Sequence, residues 1–277
     1  MLDKVVYEDI VKNALKEDIN YLDLSSSLIE DNISSRAEIS FKEDGVVCGI
    51  DICCECFMQI DNTLNITRLK VDGEEASHGE VILVIEGKGS SILKAERTAL
   101  NFLQRMCGIA TKSRRYSNIV KGLNTRVVDT RKTTPGLRPL EKYAVRVGGC
   151  YNHRYNLSDA IMIKDNHIKA LGGIGPAILK ARNIAPHIMR VEVEVTNLTE
   201  VKEAIESKAD VIMLDNMNLD RMKEAVELIN GRAIVEASGN INLDTVEKVA
   251  KVGVDVISTG DLTHTIKSLD ISLNLVD

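Results

Sequence analysis

Four short apolar runs, at residues 189–195, 211–214, 233–236 and 254–258, succeed one another about 21 to 22 residues apart, centre to centre. That interval is near the minimum for a strand plus a crossover helix. Stretches of helical composition fill the gaps, at 198–208, 218–230 and 242–252, the last with Asp244 and Thr245 near its start. Runs such as DVIMLD and DVISTG are apolar on both faces, as parallel strands covered by helices must be. Two earlier runs, 126–129 and 160–163, extend the series to six. Six such units predict an α/β fold with a β/α barrel, short or incomplete. An open doubly wound sheet is the alternative, and the absence of a GxGxxG dinucleotide fingerprint weakens it.

The first 90 or so residues read differently. Residues 4–17 place apolar side chains at 5, 6, 10, 14 and 15, a helical spacing. A polar stretch, NYLDLSSSLIEDNISS, comes next. From Arg36 the chain alternates, with Ala37, Ile39 and Phe41 on one side of a half-buried strand. Asp44-Gly45 turns it, 46–48 reads as the return strand and 50–60 as a helix. Strands at 64–71 and 81–85 complete a small α+β domain. From Lys94 to Val120 the apolar residues Ala95, Ala99, Phe102, Leu103, Met106 and Ala110 recur three or four apart, and Gly108 and Gly122 interrupt or close that helix. The last stretch, LDISLNL, alternates cleanly and predicts a strand that returns to the N-terminal domain.

Composition excludes several classes. No apolar run approaches 18 residues, so no membrane span is expected. The start is amphipathic and acidic, unlike a secretory leader, which makes the cytoplasm the expected location. A net charge of -6 and the lack of tryptophan argue against nucleic acid as the main partner. Of six cysteines, Cys53 and Cys56 form a CxxC, but it lies in an apolar run without a second pair. A core role is expected for them, ahead of metal binding or oxidation.

Against that acidic background, residues 126–167 hold eight Lys/Arg and four Asp/Glu. In a parallel barrel the active site gathers at the C-terminal ends of the strands. Each run ends in polar residues: Arg131/Lys132, then Lys164/Asp165/His167, Glu192/Glu194, Asp215/Asn216, Glu236/Ser238/Gly239 and Ser258/Gly260/Asp261. His153 and Arg154 add to the cations between the first two. The early strands thus bring cations, the middle ones carboxylates, and the late ones glycines that can cradle a phosphate. Carboxylates can hold ribose hydroxyls or Mg²⁺ shared with substrate phosphates. Arginine suits planar carboxylates. The pattern points to a sugar phosphate meeting a polyanionic small molecule. Lys164 also suits a Schiff-base lyase, and a non-catalytic ligand-binding barrel is a third reading. Arg97, taken alone, is a solvated helix position.

The chain resembles the quinolinate phosphoribosyltransferase family, also called nicotinate-nucleotide pyrophosphorylase (carboxylating). The resemblance rests on AERTALNFLQRMCGIAT, DTRKTTPGLRPLEKYAV, GGCYNHRYNLSDAIMIKDNHI, VEVEV, IMLDN, VEASGNI and DVISTGDLTH, in that order along nearly the whole chain. It implies an N-terminal α/β sandwich over residues 1–108, a β/α barrel of six or seven strands over 109–265, and a C-terminal strand over 266–277 that returns to the first domain. It implies quinolinate and phosphoribosyl pyrophosphate as substrates, Mg²⁺ as cofactor, a role in de novo NAD biosynthesis, and a homodimer that can assemble further as a trimer of dimers. A relative from molybdenum-transport operons shares the fold and is an alternative. By the resemblance, Arg97 reaches quinolinate across the dimer interface. Arg131 and Arg154 hold its carboxylates beside His153. Lys132 and Lys164 are active-site lysines, Glu194 and Asp215 flank ribose and metal, and Ser238, Gly239 and Gly260 cradle the 5′-phosphate. Cys107, Cys150 and Asn240 depart from the family's usual residues. Asn240 tolerates unusual backbone angles, so the phosphate loop is expected to survive.

Overall fold

The structure, a computed structural model, describes residues 2–30 and 33–276. Met1, Asp31, Asn32 and Asp277, which fall in the first domain and the closing strand assigned above, lie outside the described residues. In chain order the elements are α1 (Lys4–Ile19), β1 (Ser34–Phe41), β2 (Gly45–Val46), α2 (Ile50–Ile60), β3 (Asn65–Arg68), β4 (Glu75–Ala76), β5 (Val81–Lys88) and α3 (Gly89–Ile119). Then come β6 (Arg126–Val128), α4 (Arg138–Val147), β7 (Ile161–Ile163), α5 (Asp165–Leu171), α6 (Ile174–Ile184) and β8 (Val191–Val195). The chain ends with α7 (Leu198–Glu206), β9 (Val211–Asp215), α8 (Leu219–Ile229), β10 (Ile234–Ser238), α9 (Val246–Lys251), β11 (Val256–Ser258) and β12 (Ile271–Val276). The residues divide into two compact units, one of 1–114, 133–149 and 265–277, the other of 115–132 and 150–264.

The first unit is built on an antiparallel sheet in the order β12-β1-β5-β3. Ala37, Ile39 and Phe41 are fully buried, so the alternation of β1 turns one dry face inward. The closing strand β12 pairs antiparallel with β1, Ile39 opposite Leu273. Helix α1 buries Tyr7, Val11 and Leu15, a stripe at intervals of four. All six cysteines lie outside any disulfide and are buried. Burial raises the Cys48, Cys53, Cys56 and Cys107 thiols and lifts Cys54 to about 11. The thiols of the CxxC therefore behave as small core side chains.

Two expectations fail here. The stretch after Asp44 does not return along β1. It forms the short β2, which pairs with β4, because both edges of β1 are already taken by β12 and β5. Gly108 does not interrupt the helix: α3 runs through it from Gly89 to Ile119. Its missing side chain makes room for a neighbouring segment, since a Cβ there would lie 2.3 Å from the Lys267 carbonyl oxygen.

The second unit is a six-stranded parallel sheet in the order β6-β11-β10-β9-β8-β7. From β7 to β11 each strand lies beside its sequence neighbour. A doubly wound sheet would reverse direction once; this one winds one way, as a β/α barrel does. Tyr151 bridges Val128 on the free edge of β6, a partial seventh strand. Two of the covering helices start on asparagine caps. Asn197 accepts the Glu200 N–H at the start of α7, and Asn218 accepts that of Arg221 at the start of α8. Val191, Val193, Val195, Ile212 and Leu214 are all but fully buried, and each such side chain contributes about 1.5–3 kcal/mol of burial. Among the described residues, no helix is long and apolar enough to cross a membrane.

Candidate active site at the C-terminal ends of the barrel strands

The parallel strands deliver their last residues to one end. Arg131 and Lys132 come just after β6, Lys164 caps α5 just past β7, and Glu194 lies on β8. Asp215 and Ser238 are the last residues of β9 and β10, and Gly260 lies just beyond β11. The register sets Asp215, Ser238 and Ser258 side by side on three neighbouring strands.

The cations have few internal partners. Arg131 and the Lys132 ammonium make no hydrogen bond or ion pair among the described residues, and both are exposed. Arg154 donates Nη1 to the Ala160 carbonyl at 2.9 Å. Partial burial, and then the nearby charge of Arg131, lower the Arg154 guanidinium below its usual range. Like charges brought this near are relieved when an anion binds beside them. Lys164 is ion-paired with Glu194 and remains exposed. A Schiff-base lysine needs the reverse, a desolvated amine without an acid beside it, so the lyase reading loses its support.

On the late strands the loops turn through left-handed backbone. Gly239 has φ +100°, and a Cβ there would lie 2.2 Å from the Asn216 side-chain oxygen. Asn240 adopts φ 51°, the left-handed conformation that asparagine tolerates, and donates to the same oxygen at 3.2 Å. Asn216 in turn donates to Asp215 at 2.9 Å. The departure at 240 therefore keeps the loop's shape. Next to it, the Thr259 hydroxyl accepts the Asp261 N–H at 3.1 Å. Asp261 accepts from the Tyr116 hydroxyl at 2.7 Å, and burial, then that bond, raise the phenol well above its usual range. Gly260 packs against Lys132, whose Cδ and Nζ would lie 3.0 and 3.8 Å from a Cβ there. The lysine thus runs alongside the second glycine turn.

Beneath the mouth His153, expected in the site, meets Glu192 and Glu236, two acids expected near the strand ends without a role in the site. His153 Nε2 is 3.4 Å from Glu192 and 3.5 Å from Glu236. Both acids are buried, at 6% and 3% exposure; among the described residues Glu192 Oε1 and Ser258 Oγ lack a hydrogen-bond partner, and Glu236 Oε1 meets the ring only at the 3.5 Å ion-pair distance. Burial raises the Glu192 carboxyl. Burial would lower His153, but the hydrogen bonds and charges of the two acids outweigh it and raise the ring to about 9. The Arg154 N–H pulls the other way, donating to His153 Nδ1 at 2.7 Å. A proton on Nδ1 would face the amide hydrogen head on, so the contact decides: the ring proton sits on Nε2, toward the acids. For the two acids the signal in the sequence is the alternation of VEVEV and VEAS, which becomes informative once the register is known.

Glu194, next to last on β8, and Asp215, last on the adjacent β9, are half-buried. Two hard carboxylates fit Mg²⁺ that also binds substrate phosphates. Among the described residues the compact trio with metal-ligand potential is instead His153, Glu192 and Glu236, but a ring nitrogen that carries a proton is not a ligand. Arg97 is exposed on α3 in the first unit, so the constellation built by the second unit does not include it.

Fold and site together define a β/α-barrel enzyme for a phosphorylated, multiply anionic substrate. The chain matches the model of "Quinolinate phosphoribosyl transferase, N-terminal domain" over residues 20–107 and that of the C-terminal domain over 109–274. A Bacillus subtilis protein named "Probable nicotinate-nucleotide pyrophosphorylase (carboxylating)" is 44% identical, over 94% of this chain and 90% of its own length. A protein of the same name from Methanocaldococcus jannaschii is 43% identical over 96% of each. The crystal structure of NadC from Streptococcus pyogenes superposes with a TM-score of 0.95 at 42% identity, covering 100% of this chain and 99% of that one. The chain belongs to the quinolinate phosphoribosyltransferase family.

Proposed function

We infer that the protein transfers the phosphoribosyl group of phosphoribosyl pyrophosphate to the ring nitrogen of quinolinate, giving nicotinate mononucleotide, pyrophosphate and CO2 in de novo NAD biosynthesis. The observation that carries this reading is the pair Arg131 and Arg154, mutually repelling beside a glycine-lined anion cradle in a chain of this family. Two adjacent carboxylates on one ring suit two guanidinium forks. The 5′-phosphate fits Ser238, Gly239 and Gly260, and Lys132 runs beside the last of these toward the pyrophosphate. Lys164 faces the quinolinate, and His153 lies beside Arg154. Glu194 and Asp215 would hold the ribose hydroxyls and Mg²⁺, which when bound supplies charge neutralisation for the pyrophosphate.

The chemistry is dictated by charge. Pyrophosphate leaves ribose C1 with the bonding pair, and positive charge grows on the sugar, where Glu194 and Asp215 stabilise it. The pyridine nitrogen donates its lone pair to that carbon and becomes cationic. The ring then accepts the pair from the bond to the adjacent carboxylate as CO2 departs, and the ring carbon takes one proton. No lysine forms a covalent intermediate. We further propose a homodimer, assembling in turn as a trimer of dimers, in which Arg97 of one copy serves the other's quinolinate. Six buried thiols outside any disulfide suit a reducing cytoplasm. The test is turnover with quinolinate, phosphoribosyl pyrophosphate and Mg²⁺, with nicotinate run in parallel. Equal amounts of nicotinate mononucleotide and CO2 from quinolinate are expected; consumption of nicotinate instead would overturn the assignment.

A further inference from the structure

The guanidinium of the quinolinate-facing Arg154 meets the Ala160 carbonyl and the Met162 sulfur. Its backbone is held much more firmly. Asp129, fully buried just past β6, accepts the His153 N–H at 2.9 Å and the Asn152 side-chain amide at 2.6 Å. The Arg154 N–H ends on His153 Nδ1 at 2.7 Å. That last bond exists only while the imidazole keeps its orientation and its bare Nδ1.

Something must therefore hold the opposite edge of the ring. Glu192 projects from β8 and Glu236 from β10, with β9 between them, and the imidazole edge lies within 3.5 Å of both. Two buried carboxylates at one nitrogen are costly unless that nitrogen donates to them. A ring turned over about Cβ–Cγ would present carbon to both acids and to the amide and lose all three contacts. The arrangement thus tolerates one ring orientation and one tautomer.

We propose that Glu192 and Glu236 are positioning residues: they take the Nε2–H of His153, lock the ring so that Nδ1 meets the Arg154 amide, and so aim Arg154 at the substrate carboxylate. Neither acid touches substrate. The part concerning Arg154 and quinolinate rests on the function proposed above; the part concerning the ring does not. Because Arg154 would hold quinolinate equally in the ground and transition states, its misdirection raises KM and spares kcat.

The first test needs no substrate. ¹⁵N-histidine NMR of the whole protein at neutral pH, with His153 assigned through His153→Gln, is expected to show Nδ1 unprotonated and Nε2 protonated. A proton on Nδ1, alone or with one on Nε2, would overturn the proposal even if quinolinate is turned over. The second test is kinetic. Glu236→Ala is expected to raise the quinolinate KM roughly tenfold with kcat within about threefold and the phosphoribosyl pyrophosphate KM unchanged. Glu236→Gln, which keeps an accepting oxygen, is expected to restore the parental KM. A fall in kcat at parental KM, or no rescue by glutamine in a folded protein, would overturn it. If the alanine variant does not fold, the NMR result and the glutamine variant still decide. Absence of turnover in the parent would remove the proposed function while the NMR test of the ring stands by itself.

Discussion

The two ends of the barrel strands carry similar residues and use them differently. At the N-terminal ends, Asp210 accepts the Val191 N–H and Asp255 accepts the Val235 N–H, each at 2.8 Å, and Arg182 pairs with Asp210 at 3.2 Å. These acids stitch one strand start to the next. At the C-terminal ends Arg131 and the Lys132 ammonium make no such bond among the described residues, and Gly239 and Asn240 turn through left-handed backbone. A charged residue at a strand end becomes a site when the protein leaves its hydrogen-bonding capacity for something else. It is structural when the neighbouring backbone consumes that capacity.

Substitutions at the two ends should separate activity from stability. The largest effect belongs to the mouth. Arg154→Ala removes a charge-assisted contact worth about 1.5–3 kcal/mol, so kcat/KM for quinolinate should fall roughly 10- to 100-fold, while thermal unfolding moves little. At the opposite end Asp210→Ala strands the Val191 N–H and should cost about 1–3 kcal/mol of stability, read as a lower Tm, with kcat/KM near the parent. Equal loss of activity from both would break the distinction. Gly108→Ala places a methyl against the Lys267 carbonyl within the first unit and should destabilise by about 1–3 kcal/mol through overpacking, again visible in Tm. The smallest effect is expected from Asn240→Gly. The loop already holds φ 51°, so denaturant unfolding should change by no more than about 0.5 kcal/mol, and the KM for phosphoribosyl pyrophosphate should rise less than about twofold.

Much of the second unit was legible because its strands are buried on both faces, and a short, wholly apolar run between two capped helices has few other homes. The predicted runs at 211–214 and 233–236 correspond to β9 and β10. The mouth was legible for the same reason, since the last polar residue of a parallel strand points to one end. Other features were not. β2 read as a hairpin partner of β1, because a local turn signal cannot reveal that β1 already has a partner in the distant β12. Glu192 and Glu236 stood in plain view at the strand ends, but whether an acid faces the mouth or the interior depends on register against neighbouring strands, which no single run encodes. Gly108 misled likewise: glycine signals a break locally, whereas here its lack of a side chain serves a tertiary contact.

The most direct test of the central claim, that the mouth is built for a substrate with two adjacent carboxylates, is calorimetric binding of quinolinate and nicotinate to the same preparation. One quinolinate per chain is expected, bound roughly 10- to 100-fold more tightly than nicotinate, the equivalent of one further charge-assisted carboxylate contact. Equal affinity for the two would contradict the account, because Arg131 and Arg154 would then not be receiving the second carboxylate.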